Sequence, residues 1–364
     1  MSKTDLKALS KKELESFLKG RGLPSFRAKQ LLHWIYEKRV ESIDGITEFS
    51  KDLRESLSGM AFISNVTLLK RQAAGDGTQK FLFGLPDGES IESVIIPDKD
   101  RLTLCISSQV GCAMMCSFCL TGKLKCKRNL RAHEIVDQII SGSRLISPPS
   151  IPPPTPLAMG GFEGSPFFEK GYRKITNIVL MGMGEPLANF DEVVEALWRM
   201  TDLMKISKRR ITLSTSGIAP MVPELARRAP QVNLAISLNA TTDEVRNRIM
   251  PVNKKYPLKS LLDACRRFPL DPRRRITFEY VMLQGINDTR DDAKRLVRML
   301  KGIPCKVNLI PFNPYTGSEF RRPSDKEIER FQKIVLEGNI TALIRKSKGQ
   351  DILAACGQLK AGYG

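Results

Sequence analysis

The sequence of 364 residues contains no run approaching eighteen uninterrupted apolar residues, which excludes a membrane-spanning helix. Its first twenty residues, MSKTDLKALSKKELESFLKG, are charged throughout and lack an apolar block, so no secretory signal is expected and a cytoplasmic location is. Histidine is nearly missing. His33 reads as a helix-face residue and His133 as lying near the start of a helix, and neither is a metal-ligand candidate. No internal repeat is present. Acidic residues are in deficit: 39 Asp plus Glu stand against 58 Lys plus Arg, a net charge of +19. With 41% hydrophobic and 27% charged residues, the composition is that of a soluble globular protein rather than a disordered or fibrous one. The chain is too long for one ordinary core, so one large domain with appendages, or two domains, is expected.

A surface this basic attracts polyanions, and without a membrane-type amphipathic segment the expected polyanion is nucleic acid. A merely lysine-rich surface is the plain alternative. The excess is clustered: Lys123, Lys125, Lys127, Arg128 and Arg131; Lys205, Lys208, Arg209 and Arg210; Arg273, Arg274 and Arg275. These fall at connections between predicted elements, where a barrel would display them along one rim for phosphate contact.

Residues 1–60 read as a helical module, with Leu6, Leu9, Leu14 and Phe17 at helical spacing and a broad apolar face in FRAKQLLHWIYEKR. Residues 61–97 change to short β-like runs separated by Asp-Gly turns, a small β-hairpin unit. From 98 to 346, six strand candidates (RLTLCIS, KITNIVLM, RITLSTS, VNLAISL, RITFEYVM and CKVNLIPF) alternate with amphipathic helices. The pattern predicts an α/β fold with a parallel sheet closed or nearly closed as a barrel, its chemistry at the C-terminal strand ends. A proline-rich insertion at about 145–170, with six prolines in the nine positions 148–156, is expected to be extended or disordered. Residues 347–364 form a C-terminal segment.

Eight cysteines without an export signal point to metal or redox chemistry rather than a disulfide framework. Cys112, Cys116, Cys119 and Cys126 crowd into fifteen residues, whereas Cys265 and Cys305 read as buried core cysteines. Three thiolates on one loop can hold three irons of a [4Fe–4S] cluster and leave the fourth open to a small molecule. Cys126 as a fourth ligand would instead close the site, as zinc or as an electron-transfer cluster. The turn Gly182-Met183-Gly184-Glu185-Pro186 follows a predicted strand, where glycines permit close backbone approach to a ligand and the carboxylate can accept a hydrogen bond.

The three-cysteine loop followed by the Gly-Glu-Pro turn resembles a radical S-adenosylmethionine (SAM) enzyme. Together with RNLRAHEI, ITLSTSGI, LAISLNATTDEVRNRIMPVNKKYPL, VNLIPFNP and DILAACGQL, it is similar to the RlmN/Cfr family of RNA adenine methyltransferases over nearly the whole chain, the insertion excepted. That resemblance implies a partial (β/α)6 radical-SAM barrel with a helical, RNA-binding accessory module. It implies one [4Fe–4S] cluster on Cys112, Cys116 and Cys119, and a SAM pocket lined by Gly184, Glu185, Ser216, Ser237, Leu238, Asn239 and Asn313.

The resemblance further implies that one SAM methylates Cys356 and a second is cleaved to a 5′-deoxyadenosyl radical that activates this methyl group for addition to adenine, two SAM per turnover. Cys105 would then attack the sulfur of Cys356, releasing product and leaving a disulfide. Glu92 matches the position of the base that removes the ring proton. The implied substrates are an adenosine in 23S-type rRNA and, for some members, tRNA, with ring C2 favoured over C8. The implied partners further include a flavodoxin or ferredoxin as electron donor, and the protein is expected to be a monomer without membrane association. The competing expectations are a radical-SAM protein acting on a protein or small molecule, and a non-catalytic metal-bearing nucleic-acid-binding protein.

Overall fold

A computed structural model describes residues 3–146 and 174–360. Its frame is a ten-stranded sheet: β1 (Thr67–Ala73), β2 (Gln79–Gly84), β3 (Ser90–Asp98), β4 (Arg101–Cys105), β5 (Asn177–Leu180), β6 (Ile211–Thr215), β7 (Asn233–Ser237), β8 (Ile276–Met282), β9 (Cys305–Pro311) and β10 (Thr341–Ile344). Spatial order follows chain order from one edge to the other. Strands β1 to β4 pair antiparallel, and β4 to β10 run parallel. All six strands expected for the barrel are present, and β10 adds a seventh parallel one. The residues read as a β-hairpin unit are hydrogen-bonded into the same sheet through β3 and β4.

Ten α-helices among the described residues carry labels here: α1 (Lys11–Lys19), α2 (Phe26–Leu32), α3 (Lys51–Met60), α4 (Ala132–Ile146), α5 (Phe190–Trp198), α6 (Met221–Arg228), α7 (Asp243–Ile249), α8 (Leu258–Arg266), α9 (Arg290–Leu300) and α10 (Asp325–Glu337). Local chemistry fixes several starts. Ser10, Thr289 and Ser324 close capping boxes with Glu13, Asp292 and Glu327, satisfying backbone donors that a first turn leaves unpaired.

The strands alternate between two environments. Phe81, Phe83, Ile91, Ile95, Leu102, Leu104, Phe278 and Tyr280 pack outward into a core that also holds Leu14, Leu18, Leu31 and Ile35 from the N-terminal helices. One continuous apolar core therefore spans both the helical module and the barrel. Arg199 secures the junction: its guanidinium donates to the Lys7 carbonyl at 2.7 Å and to the Tyr36 hydroxyl at 2.9 Å. A buried Lys7–Asp137 ion pair adds a second tie. The inner face carries Leu82, Val94 and Cys105 instead.

Two expectations need comment. The basic clusters do not share one rim. Lys123–Arg131 follows the C-terminal end of β4, whereas Lys205–Arg210 and Arg273–Arg275 immediately precede β6 and β8 and therefore lie at the opposite end. Hydrogen bonds from Asn233 to the Arg209 carbonyl and from Arg274 to the Gln231 carbonyl bind these two clusters into that lower edge. A connection entering a parallel strand sits at the end away from the chemistry, a distinction that residue clustering alone does not carry. The insertion expected at about 145–170 lies, from residue 147 onward, outside the described residues.

Candidate active site

The segment after β4 builds the floor of the site. Ile106 donates to the Val179 carbonyl and Ser108 to the Met183 carbonyl, drawing it against the end of β5. The contact requires the glycines of the GMGEP turn. A Cβ on Gly182 would stand 2.7 Å from the carbonyl of Ile106, and one on Gly184, whose φ is +101°, 2.6 Å from the Cβ of Gln109. These glycines thus serve a close approach of protein to protein.

Beyond this segment, Cys112, Cys116 and Cys119 lie half-buried on one loop. The loop is folded tightly on itself: the Cys119 amide donates to the Cys116 carbonyl, and a Cβ on Gly122 would stand 2.6 Å from that same oxygen. Phe118 anchors it among Ile249, Met250, Leu283, Phe312 and Tyr315 at the ends of β7 to β9. Burial pushes the Cys112 thiol up to about 12 and those of Cys116 and Cys119 upward, and mutual repulsion among the three thiols adds to the rise at Cys112 and Cys116. A site that holds three thiols close yet penalises their charge suits a multivalent iron centre, which supplies the missing positive charge.

Cys126 is also near: its charge adds to the rise at Cys112, and burial raises its own pKa. Its thiol makes a 3.9 Å contact to the Arg128 carbonyl. Among the described residues, no three Cys, His, Asp or Glu side chains converge as ligands of a single metal ion. Zinc gathers its sulfurs at about 2.3 Å around one point, whereas the thiolates of a cluster bind separate irons.

Above the loop, the strand ends supply polar groups. Glu185 is buried; its Oε1 accepts from the Leu187 amide at 2.9 Å and its Oε2 from the Ser216 amide at 2.6 Å. Burial raises its pKa, and these backbone donors oppose the rise. The Ser216 hydroxyl is buried beside this carboxylate and also opposes the rise. Asn239, at φ +57°, accepts from the Val281 amide at 2.8 Å. The Leu238 side chain belongs to the apolar core, so only its backbone faces the strand ends.

Arg246 organises these ends and was not legible as a site residue. Fully buried on α7, it donates to the carbonyls of Ser216 (2.6 Å), Ser237 (3.1 Å) and Leu238 (2.9 Å) and to Asn253 Oδ1 (2.9 Å). Burial lowers its pKa to about 10, while the neighbouring Cys116 and Asp243 work in the other direction. The available signal was a charge three residues before Ile249, on the apolar face of a short helix.

The C-terminal segment closes the arrangement. The Leu120 amide donates to the Gly357 carbonyl at 2.7 Å and the Thr121 hydroxyl to the Leu359 carbonyl at 2.7 Å, so the segment lies on the cysteine loop. Ala354 and Leu359 pack with Cys105, Val94 and Met183. Cys356 keeps its side chain accessible, yet surrounding protein pushes its thiol up to about 11, with Glu279 contributing and Arg345 opposing. Cys105 is buried on β4, and burial raises its pKa, with the nearby Cys356 adding to the effect. The Cys356 segment thus packs through Ala354 and Leu359 against Cys105 on the inner face. Glu92, also buried there, pairs with Lys80 at 3.1 Å and accepts from the Lys360 amide at 2.6 Å. Lys80 is a second residue that sequence reasoning missed, because a lysine on a strand reads as solvated.

A partial barrel that carries three clustered thiols beyond its first parallel strand and a polar pocket across the next strand ends defines a radical-SAM protein; residues 168–300 match the Radical SAM superfamily, and residues 4–63 match the ribosomal RNA large subunit methyltransferase N-terminal domain. The chain is 52% identical over 360 residues to the dual-specificity RNA methyltransferase RlmN of Pelobacter propionicus, covering 98% of this chain and 96% of that one. It is 51% identical to RlmN of Geobacter sulfurreducens, covering 98% and 92%. A crystal structure of a radical SAM methyltransferase from Sphaerobacter thermophilus superposes with a TM-score of 0.87 at 40% identity, covering 98% of this chain and 99% of that one. The chain belongs to the RlmN family of radical-SAM RNA methyltransferases. Membership implies SAM and a [4Fe–4S] cluster. No helix among the described residues is long and apolar enough to cross a membrane.

Proposed function

We propose that the protein methylates C2 of an adenosine in 23S-type rRNA, and an adenosine in tRNA, consuming two SAM per turnover. The observation that carries this reading is the packing of the Cys356 segment, through Ala354 and Leu359, against Cys105 on the inner face, beside the cysteine loop. Cys112, Cys116 and Cys119 would hold one [4Fe–4S] cluster, which when bound supplies the electron that cleaves SAM. Gly184, Glu185, Ser216, Ser237, Leu238, Asn239 and Asn313 would line the SAM pocket, Leu238 through its backbone.

In this reading Cys356 carries the methyl group. Its accessible thiol takes a methyl from SAM by displacement and presents the carbon to the adenine ring, whose target position offers no lone pair for a direct attack on SAM. Glu92 accepts the ring proton. Cys105 then attacks the sulfur of Cys356; this exchange requires the two sulfurs to be neighbours, which the packing of Ala354 and Leu359 on Cys105 supports. The adenosine must leave its stack to reach the inner face, so a fold with an exposed adenine is selected. The protein acts as a cytoplasmic monomer, reduced by a flavodoxin- or ferredoxin-type donor.

The test is mass spectrometry of nucleosides from rRNA of cells lacking the modification, after anaerobic incubation with reconstituted protein, SAM and reductant. A C2-methyladenosine is expected. C8-methyladenosine would reassign the position, and 5′-deoxyadenosine without methyladenosine would remove RNA as the substrate.

A further inference from the structure

Lys80 is a buried lysine to which the chemistry above gives no task. Phe81 and Phe83 of β2 face the main core, so Lys80 and Leu82 face inward. Leu82 stands opposite Glu92 in register, which makes Lys80 and Glu92 diagonal neighbours on one face. Both are only 6% exposed. Lys80 Nζ lies 3.1 Å from Glu92 Oε1 and donates at 3.3 Å to the carbonyl of Leu353, three residues before Cys356. The other carboxylate oxygen accepts from the amide of Lys360, four residues after Cys356, at 2.6 Å. The ion pair therefore grips the Cys356 segment on both sides.

Stability does not explain such a pair. Desolvating two charges costs about what their attraction returns, and two apolar side chains of similar volume would hold the sheet as well. What the pair adds is direction: it fixes Oε1 and leaves Oε2 as the oxygen that can exchange a backbone hydrogen bond for a substrate proton. Through the Leu353 carbonyl, the same ammonium sets the C-terminal segment in the frame of that carboxylate.

We infer that Lys80 is a positioning residue that holds Glu92 and the Cys356 segment in one frame, so that base and methyl carrier address the same adenine ring. The inference rests on the roles proposed for Glu92 and Cys356. Lys80 takes no proton itself; the ring proton goes to Glu92 Oε2, which gives up the Lys360 amide to receive it, and the ammonium remains bound to Oε1.

The test uses full-length reconstituted protein in unaltered, K80M, K80R and E92Q forms, incubated anaerobically with SAM, reductant and unmodified rRNA. Three quantities are read: Cys356 methylation by peptide mass, the covalent protein–RNA adduct on a denaturing gel, and released methyladenosine. K80M is expected to methylate Cys356 within about threefold of the unaltered protein, yet to accumulate adduct and release product about 100-fold more slowly, the scale of a lost general base. K80R is expected to recover at least about a tenth of the unaltered release rate, since a second cation can hold the same oxygen. Normal release from K80M overturns the inference. So does an equal loss of Cys356 methylation and product without rescue by K80R, which marks a purely structural lysine. If K80M does not fold, K80Q carries the same comparison. E92Q separates the two assignments: normal release from E92Q removes Glu92 as the base and this inference with it, whereas stalling in E92Q but not in K80M removes Lys80 alone.

Discussion

The side-chain amide of Asn313 donates to the backbone carbonyl of Cys356 at 3.2 Å. Asn313 also accepts from Ser347 and Gln350, so the residue just past β9 is the clasp of the C-terminal segment. The residue that the resemblance assigns to the SAM pocket is thus committed to the segment that carries Cys356.

Metal content separates the cysteines. Cys112→Ala is expected to lose iron and sulfide after anaerobic reconstitution, whereas Cys126→Ala keeps them, because its thiol faces the Arg128 carbonyl. Iron and sulfide assays of the two purified variants check this directly. Equal loss in both would restore a four-thiol site.

Cys105 and Cys356 are expected to close a disulfide under mild oxidation of the apoprotein without unfolding, since Ala354 and Leu359 already pack the Cys356 segment against Cys105. Peptide mapping should show one linked pair, reversed by reductant, with Cys265 and Cys305 still free in the core. Cys105→Ala should methylate Cys356 normally and then stall as a protein–RNA adduct, visible as a retarded band on a denaturing gel.

The pH dependence of Cys356 follows from its raised pKa. Desolvation by the surrounding protein and the nearby Glu279 favour the protonated thiol, so the stabilisation it contributes is complete below its ordinary value near 9 and is lost as pH rises through about 11. In the folded apoprotein, alkylation of Cys356 by iodoacetamide should rise about tenfold per pH unit from about pH 7 to pH 10, whereas the unfolded chain levels off near its ordinary thiol pKa. A rate that saturates by pH 9 in the folded protein would contradict the raised pKa.

Arg246 should be the most costly single change at the strand ends. Arg246→Met leaves three backbone carbonyls and the Asn253 oxygen without their donor in a buried site. A loss of about 3–5 kcal/mol is expected, together with loss of SAM binding. Denaturant unfolding and equilibrium dialysis with labelled SAM measure the two effects.

Much of this protein is written in local patterns. The six barrel strands are apolar runs of ordinary length, and the three cysteines and the GMGEP turn fall just past strand ends, where parallel sheets place chemistry. What escaped reading depends on tertiary context. Strand β10 lies at the sheet edge with Thr341 and Leu343 exposed, so no buried apolar run marks it. Arg246 and Lys80 are charges that only the fold makes interior, one through three strand-end carbonyls, the other through a diagonal partner and a distant loop. The sides of the barrel on which the basic clusters lie depend on whether a connection leaves or enters a strand, and composition is silent on that. The proximity of Cys105 to Cys356 came from the family resemblance; no spacing within the chain contains it.

The passage of the methyl group through Cys356 can be followed in one turnover. The protein is first charged with SAM bearing a deuterated methyl group, freed of small molecules, and then given unlabelled SAM, reductant and unmodified rRNA. The methyladenosine formed should carry the deuterated carbon, with Cys356 losing its label at the same rate. Unlabelled methyladenosine, with the deuterated methyl still on Cys356, would show that this cysteine is not the carrier.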